Sequence, residues 1–114
     1  MKISGIVEKG KGEGRKLGFP TANLKIQKSF LLADGIYVAE TRYQGKTYHS
    51  LAVKGLVDDL EVWLDDFSGD LYGQELTVAI GQKISDLIST GNQGELIAKI
   101  QSDITKARKL WTIN

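Results

Sequence analysis

Residues able to bind a phosphate group are concentrated in one run near the start of the chain, GKGEGRKLGFPTANL at residues 10–24. Alternate glycines let backbone N–H groups approach an anion without a Cβ atom in the way, and two basic residues follow them with fixed positive charge. These five residues are Gly10, Gly12, Gly14, Arg15 and Lys16. The run predicts a phosphate-binding loop, although a flexible surface loop accounts for the same composition equally well.

The same run ends in a polar pair suited to a divalent cation. Pro20 stiffens the exit of the loop, and Thr21 and Asn23 follow it two residues apart. In an extended segment that spacing places both side chains on one side. Mg²⁺ prefers oxygen ligands and keeps several of its waters, so the pair predicts a magnesium site beside the phosphates. The run has neither the Gly-Lys-Ser/Thr of a P-loop nor the glycine spacing of a Rossmann fingerprint.

A carboxylate for proton transfer lies further along the chain. Glu61 is the one acid in the apolar run LEVWL, residues 60–64. Phosphoryl transfer to a hydroxyl needs bound phosphates, a divalent ion and a carboxylate that accepts the hydroxyl proton. Glu61 is our candidate for that catalytic base, although a glutamate in this setting is by itself more often a solvated strand residue.

Composition excludes several other chemistries. The chain has no cysteine, which rules out disulfides, thiolate metal sites and a cysteine nucleophile. His49, the only histidine, has no plausible partner set, and we assign it no role. Fifteen basic and fourteen acidic residues give a net charge of +1, so we expect neither a nucleic-acid nor a membrane partner. With no apolar run long enough to span a bilayer, we expect a cytoplasmic protein.

The elements that must position these residues are short strands and one helix. At 114 residues the chain suits a single domain, and 13 glycines against one proline indicate many tight turns. Gln44-Gly45 suits a hairpin, Asn92 with Glu95 resembles a helix N-cap pair, and residues 81–92 look irregular. Strands are predicted over residues 1–9, 21–26, 36–43, 46–53, 60–64 and 75–80, and an amphipathic helix over 93–110. Six strands and a closing helix favour an all-β fold, a closed antiparallel barrel with a C-terminal helix.

Three blocks in the right order resemble the riboflavin kinase (flavokinase) family over nearly the whole chain. The family run G-x-x-x-G-R-x-L-G-F-P-T-A-N corresponds to residues 10–23, and D-G-x-Y corresponds to residues 34–37. The block E-V-x-L-x-D-F-x-G-D-L-Y-G-Q corresponds to residues 61–74. The resemblance implies a six-stranded Greek-key barrel with a C-terminal helix, as one riboflavin kinase-like domain over residues 1–114.

The resemblance also implies a reaction and its residues. The family transfers the γ-phosphate of ATP to the 5′-hydroxyl of riboflavin, which gives FMN and ADP. The family's catalytic base falls on Glu61, and its metal and phosphate contacts fall on Thr21 and Asn23. Taken with the glycine loop, the nucleotide-binding residues are Gly10, Gly12, Gly14, Arg15, Lys16 and Thr21. We therefore expect Mg²⁺ or another divalent ion, ATP/ADP and riboflavin/FMN as partners, and a monomer.

Two segments depart from the family pattern, both where the flavin ring should bind. The loop over residues 54–59 is short and lacks the family's proline. In KISDL, residues 83–87, Ser85 replaces an arginine that helps to hold the flavin, and Leu87 replaces a glutamate. Flavin-binding residues are therefore left unassigned. Two alternatives stay open: a non-catalytic flavin- or nucleotide-binding domain, and a kinase of another small alcohol. With no adenylyltransferase domain before it, the chain suggests a compact monofunctional or reduced member.

Overall fold

The structure, a computed structural model, describes residues 1–8, 21–26, 30–55, 60–87 and 92–113. Its strands close into a barrel in the order β1-β2-β5-β4-β3-β6, and all the neighbouring strands are antiparallel. The predicted barrel with a C-terminal helix is confirmed. The elements are β1 Lys2–Glu8, β2 Ala22–Ile26, β3 Gly35–Tyr43, β4 Lys46–Lys54, β5 Leu60–Leu64, β6 Glu75–Ser85 and α1 Gln93–Ile113.

The barrel interior is filled by apolar residues that alternate with outward-facing ones. β1 follows this alternation throughout, with Ile3 and Val7 buried, and β5 buries Leu60, Val62 and Leu64. Alternation is the period of a strand, so each buried set fixes which side chains point outward. The interior core consists of Ile3, Val7, Ala22, Leu24, Tyr37, Ala39, Ala52, Leu60, Val62, Leu64, Leu71, Leu76 and Val78.

The predicted hairpin joins β3 to β4. Gln44 and Gly45 have φ angles of 49° and 77°, as a two-residue type I′ turn requires. Glycine adopts this conformation without strain, whereas Gln44 adopts it less readily. The turn aligns Tyr43 with Lys46 and thereby sets the register of the nine residue pairs between the two strands.

Two element boundaries differ from the sequence predictions by three residues or more, whereas the others agree to within one residue. β6 continues to Ser85, so residues 81–85, predicted as irregular, belong to the strand. Their polar side chains hide the period of two, but β3 pairs with them across two register shifts, which absorb the irregularity. α1 extends three residues past the predicted end at 110, where Trp111 stacks on the His49 ring with centroids 4.9 Å apart.

The helix packs on the outside of the barrel. Ile104 and Ala107 are buried against Ile36 and Leu51, which point outward from β3 and β4. At the start of α1, the Glu95 N–H donates to the Asn92 side-chain oxygen at 3.0 Å, as the predicted N-cap requires. Among the described residues, no helix is both long and apolar enough to span a membrane.

A charged cluster joins the first half of α1 to the end of β6. The Lys99 ammonium donates to an Asp103 carboxylate oxygen and to the Ser85 hydroxyl, both at 2.7 Å. Ser85 in turn donates to the other Asp103 oxygen at 2.7 Å. Asp103 is only 4% exposed, so these two partners supply the hydrogen bonds that water would otherwise give its carboxylate.

We expect Asp103→Ala to lower the free energy of unfolding by about 3 kcal/mol, because it leaves the Lys99 ammonium without its partner in a largely buried position. Replacing both residues, Lys99→Met with Asp103→Leu, should recover most of that loss. Urea unfolding followed by the fluorescence of Trp63 and Trp111 measures both effects. A single variant as stable as the parent chain would contradict the prediction.

Candidate functional site

The strand register brings two of the predicted site residues together. Asn23 on β2 is the direct partner of Glu61 on β5. Residues opposite each other on antiparallel strands have Cβ atoms about 4.5–5.5 Å apart and project from the same face. The neighbours of Glu61 along β5 point into the core, so this face is the outer surface of the barrel. The Glu61 side chain is exposed there.

Thr21 lies on the same face. It immediately precedes β2, is exposed, and stands two residues before Asn23. On the other side of Asn23, β1 contributes Glu8, which also forms an ion pair with Lys25 at 3.7 Å. A hydroxyl, an amide and two carboxylates therefore meet on one small surface. Glu8 was missed from the sequence, because only the pairing of β1 with β2 places it there.

The remaining predicted nucleotide-binding residues are Gly10, Gly12, Gly14, Arg15 and Lys16. They lie outside the described residues, and their roles stay predictions. The described chain ends at Glu8 and resumes at Thr21, on adjacent antiparallel strands. The glycine run therefore belongs to the connection between those strands. The described residues that flank this connection, Glu8 and Thr21, lie on the same face as Asn23 and Glu61.

A cavity of about 530 Å³ lies next to this surface. Its apolar floor is formed by core side chains at the end of the barrel, among them Val7, Ala22 and Leu71. Thr21 forms part of one wall, and residues 65–72 form another. Thr21 thus belongs both to the polar surface and to the cavity.

Hydrogen bonds and ring contacts hold the wall formed by residues 65–72. The Tyr72 N–H donates to the Asp70 carboxylate at 2.9 Å, which fits the turn role expected of an aspartate here. Phe67 packs edge-on against Tyr48 with ring centroids 5.4 Å apart. The Gly73 N–H donates to the Val7 carbonyl at 2.9 Å and ties the end of the loop to β1.

The helix completes the rim of the cavity with a group that sequence reasoning missed. Arg108 donates from its guanidinium to Asp65 at 3.0 Å, and the same guanidinium lies over the Trp63 ring, 5.9 Å from its centroid. All three side chains line the cavity. No sequence pattern predicts the contact of Arg108 with Asp65, 43 positions away, because that contact depends on how α1 crosses the barrel.

One of the two segments that depart from the flavokinase pattern, residues 83–87, is held by charged and hydrogen-bonded contacts. Most of the other, residues 56–59, lies outside the described residues. Ser85 is bound by Lys99 and Asp103, as described above. Lys83 pairs with Asp86 at 2.9 Å, and their hydrogen bond raises the pKa of Lys83 and lowers the pKa of Asp86. Leu87 is exposed. These contacts leave the segment ordered without an arginine at position 85.

Comparison with known proteins identifies the family. The family model for riboflavin kinase (Flavokinase) matches residues 1–111. Bifunctional riboflavin kinase/FMN adenylyltransferases from Buchnera aphidicola and from Escherichia coli K12 are 33% and 34% identical to the chain, over 100% and 96% of it. The Haemophilus influenzae protein of the same name is 32% identical over 96% of the chain.

The chain spans 37–40% of the length of these relatives. A solved structure described as a macrolide-efflux protein from Streptococcus pneumoniae superposes with a TM-score of 0.85 and 28% identity, over 94% of this chain and 38% of that one. The barrel is therefore shared with a larger protein of known structure. Because the family model covers all but the last three residues, the chain belongs to the riboflavin kinase family.

Proposed function

We propose that this domain is a riboflavin kinase, which transfers the γ-phosphate of ATP to the 5′-hydroxyl of riboflavin and releases FMN and ADP. The observation that carries the proposal is the pairing of Glu61 with Asn23 on the outer face of the barrel. That pair lies beside a cavity of about 530 Å³, within the range of small-ligand sites. Membership of the family supports the same reaction.

Glu61 acts as the general base. Its exposed carboxylate accepts the proton of the 5′-hydroxyl while that oxygen bonds to the γ-phosphorus. The bond from the γ-phosphorus to the β,γ-bridging oxygen breaks, and that oxygen leaves with ADP. Phosphoryl transfer requires little covalent chemistry from a protein, so the main task of these residues is to hold the two substrates in line.

Thr21 and Asn23 suit a divalent ion bound together with phosphates. Their hydroxyl and amide oxygens are the ligand type that Mg²⁺ prefers. The described part of the chain has no group of three or more histidine and carboxylate residues able to hold a metal. Mg²⁺ often binds through one or two protein oxygens, several waters and the substrate phosphates, so a small ligand set fits. When bound there, Mg²⁺ would neutralise charge on the β- and γ-phosphates.

The cavity suits the nucleotide. Thr21 and residues 65–72 both line it, so phosphates bound beside Glu61 and Thr21 would direct the nucleoside along the cavity toward residues 65–72. The glycine run 10–16, whose residues lie outside those described, is proposed to contribute backbone N–H groups to the phosphates. We also propose that the domain acts as a monomer, because ring closure of the barrel leaves its described strands paired on both sides.

One observation favours a second candidate, a kinase of another small alcohol. Ser85 stands where the family has a flavin-contacting arginine, and its hydroxyl is already bound by Lys99 and Asp103. An acceptor smaller than the flavin would not need a contact at that position. Phosphorylation of other alcohols, but not of riboflavin, would support this candidate over the first, whereas tight binding of flavin or nucleotide without turnover would indicate a binding domain.

We expect Glu61→Gln to lower the rate of FMN formation by a factor of about 10² to 10⁴, the usual contribution of a general base. Affinity for ADP should change little, because the substituted group acts on the acceptor. Chromatographic detection of FMN with riboflavin and Mg·ATP measures the rate, and calorimetry measures the affinity. Glu75→Gln, at an exposed position outside the cavity, is the control. Equal rates for Glu61→Gln and Glu75→Gln would contradict the assignment.

We expect Thr21→Val to raise the Mg²⁺ concentration needed for half-maximal activity, because the variant keeps the shape of threonine but removes an oxygen ligand. Thr21 is exposed, so the melting temperature should stay near that of the parent chain. A titration of FMN formation against Mg²⁺ at fixed ATP measures the shift. An unchanged Mg²⁺ dependence would remove Thr21 from the metal site.

A further inference from the structure

Three carboxylates line the cavity and are not used by the proposed phosphoryl transfer, those of Asp65, Asp66 and Asp70. Among the described residues, Asp65 is the one of the three that a basic side chain holds. Asp65 follows the last residue of β5, and its side chain is 25% exposed. Arg108 donates to one of its oxygens at 3.0 Å, and the other oxygen has no partner among the described residues. A carboxylate held on one side in this way presents a fixed acceptor to whatever occupies the cavity.

The surroundings of Asp65 suit the edge of a flat aromatic ring. The floor of the cavity is apolar, and the Trp63 ring stands at the rim beneath the Arg108 guanidinium. An apolar floor with a few oriented polar groups is the usual form of a site that recognises a small planar ligand. Trp63 and Asp65 follow Glu61 at intervals of two residues, along the outer side of β5 and just past its end. A nucleotide with its phosphates beside Glu61 would therefore extend its base toward Asp65, which lines the cavity together with Trp63.

A carboxylate distinguishes bases by whether a hydrogen-bond donor or an acceptor lies at the edge that faces it. An ionised carboxylate only accepts hydrogen bonds, so it binds an exocyclic amino group and repels a carbonyl oxygen. At this edge adenine presents an amino group at position six and an unprotonated nitrogen at position one, whereas hypoxanthine presents a carbonyl oxygen and an N–H there. A carboxylate aimed at position six therefore meets a donor in adenine and an acceptor in hypoxanthine.

We propose that Asp65 is the residue that determines nucleobase specificity: it accepts a hydrogen bond from the amino group of adenine, and Arg108 is the positioning residue that holds its carboxylate in place. The inference rests on the proposed function only in that a nucleotide occupies this cavity. It adds to that function the contact by which the domain selects an amino-bearing base from other purines.

The test compares ADP with inosine diphosphate, both with Mg²⁺, by calorimetry and without riboflavin. We expect the parent chain to bind ADP at least about tenfold more tightly than inosine diphosphate, because a hydrogen bond to a charged group contributes that much to affinity. In Asp65→Asn the amide oxygen still accepts from Arg108, while the amide nitrogen can donate to the carbonyl of hypoxanthine. The preference should therefore shrink or reverse.

Further variants separate base recognition from a structural role. Arg108→Gln should reduce the preference for ADP while leaving the melting temperature within a few degrees, because the guanidinium is 59% exposed. Glu75→Gln should keep the full preference. The proposal would be overturned if the parent chain bound ADP and inosine diphosphate with equal affinity. It would also be overturned if Asp65→Asn lowered the affinity for both diphosphates by the same factor.

The FMN assay keeps this proposal distinct from the proposed function. If the parent chain forms FMN equally well with ATP and inosine triphosphate, Asp65 does not discriminate between the bases, and the kinase assignment stands. If it binds ADP selectively but forms no FMN, the base contact stands and the kinase assignment fails.

Discussion

The proposed chemistry depends on one short strand pairing, that of β2 with β5. Among the described residues three pairs form it, and the outer two, Ala22 with Val62 and Leu24 with Leu60, point into the core. The pair between them, Asn23 with Glu61, must then point outward. A slip of one residue would turn the polar pair into the core and the apolar residues into water, so burial of the core holds the proposed catalytic pair in place.

The rest of the site is built on this pairing from distant parts of the chain. Glu8 at the end of β1 and Thr21 just before β2 flank the connection that contains the glycine run, and the loop after β5 supplies a cavity wall. Helix α1 reaches the rim through Arg108, and it is held on the barrel by apolar contacts and by the Lys99–Asp103–Ser85 cluster. The helix therefore links stability with the proposed recognition of the nucleotide: its first half is fixed to β6, and its second half contributes to the cavity.

Much of the fold follows from local patterns. The run of residues 60–64 has one acid and one tryptophan between buried aliphatic residues, which fixes the strand and its orientation. Gln44-Gly45 and Asn92 likewise mark a turn and a helix start through chemistry that involves only their neighbours. Those features were predictable because each depends on a few adjacent residues.

Features that depend on contacts between distant residues were not predictable in the same way. The end of β6 is a strand because β3 pairs with it, and nothing in its own polar sequence indicates this. Asp103 lies on the polar side of the helix by its spacing, yet it is buried, because Lys99 and Ser85 neutralise and bind it. The motifs indicated Thr21, Asn23 and Glu61, whereas Glu8, Asp65 and Arg108 emerged only from strand register and helix packing.

The central claim is that strand register alone aims Glu61 at the acceptor hydroxyl beside Thr21 and Asn23. A crystal structure of the domain with ADP, Mg²⁺ and riboflavin tests it most directly, through the distance from the Glu61 carboxylate to the riboflavin 5′-oxygen. We predict a hydrogen-bond distance of about 2.6–3.2 Å, with the phosphates beside Thr21. A riboflavin hydroxyl bound on another face of the barrel, away from Glu61, would contradict the account.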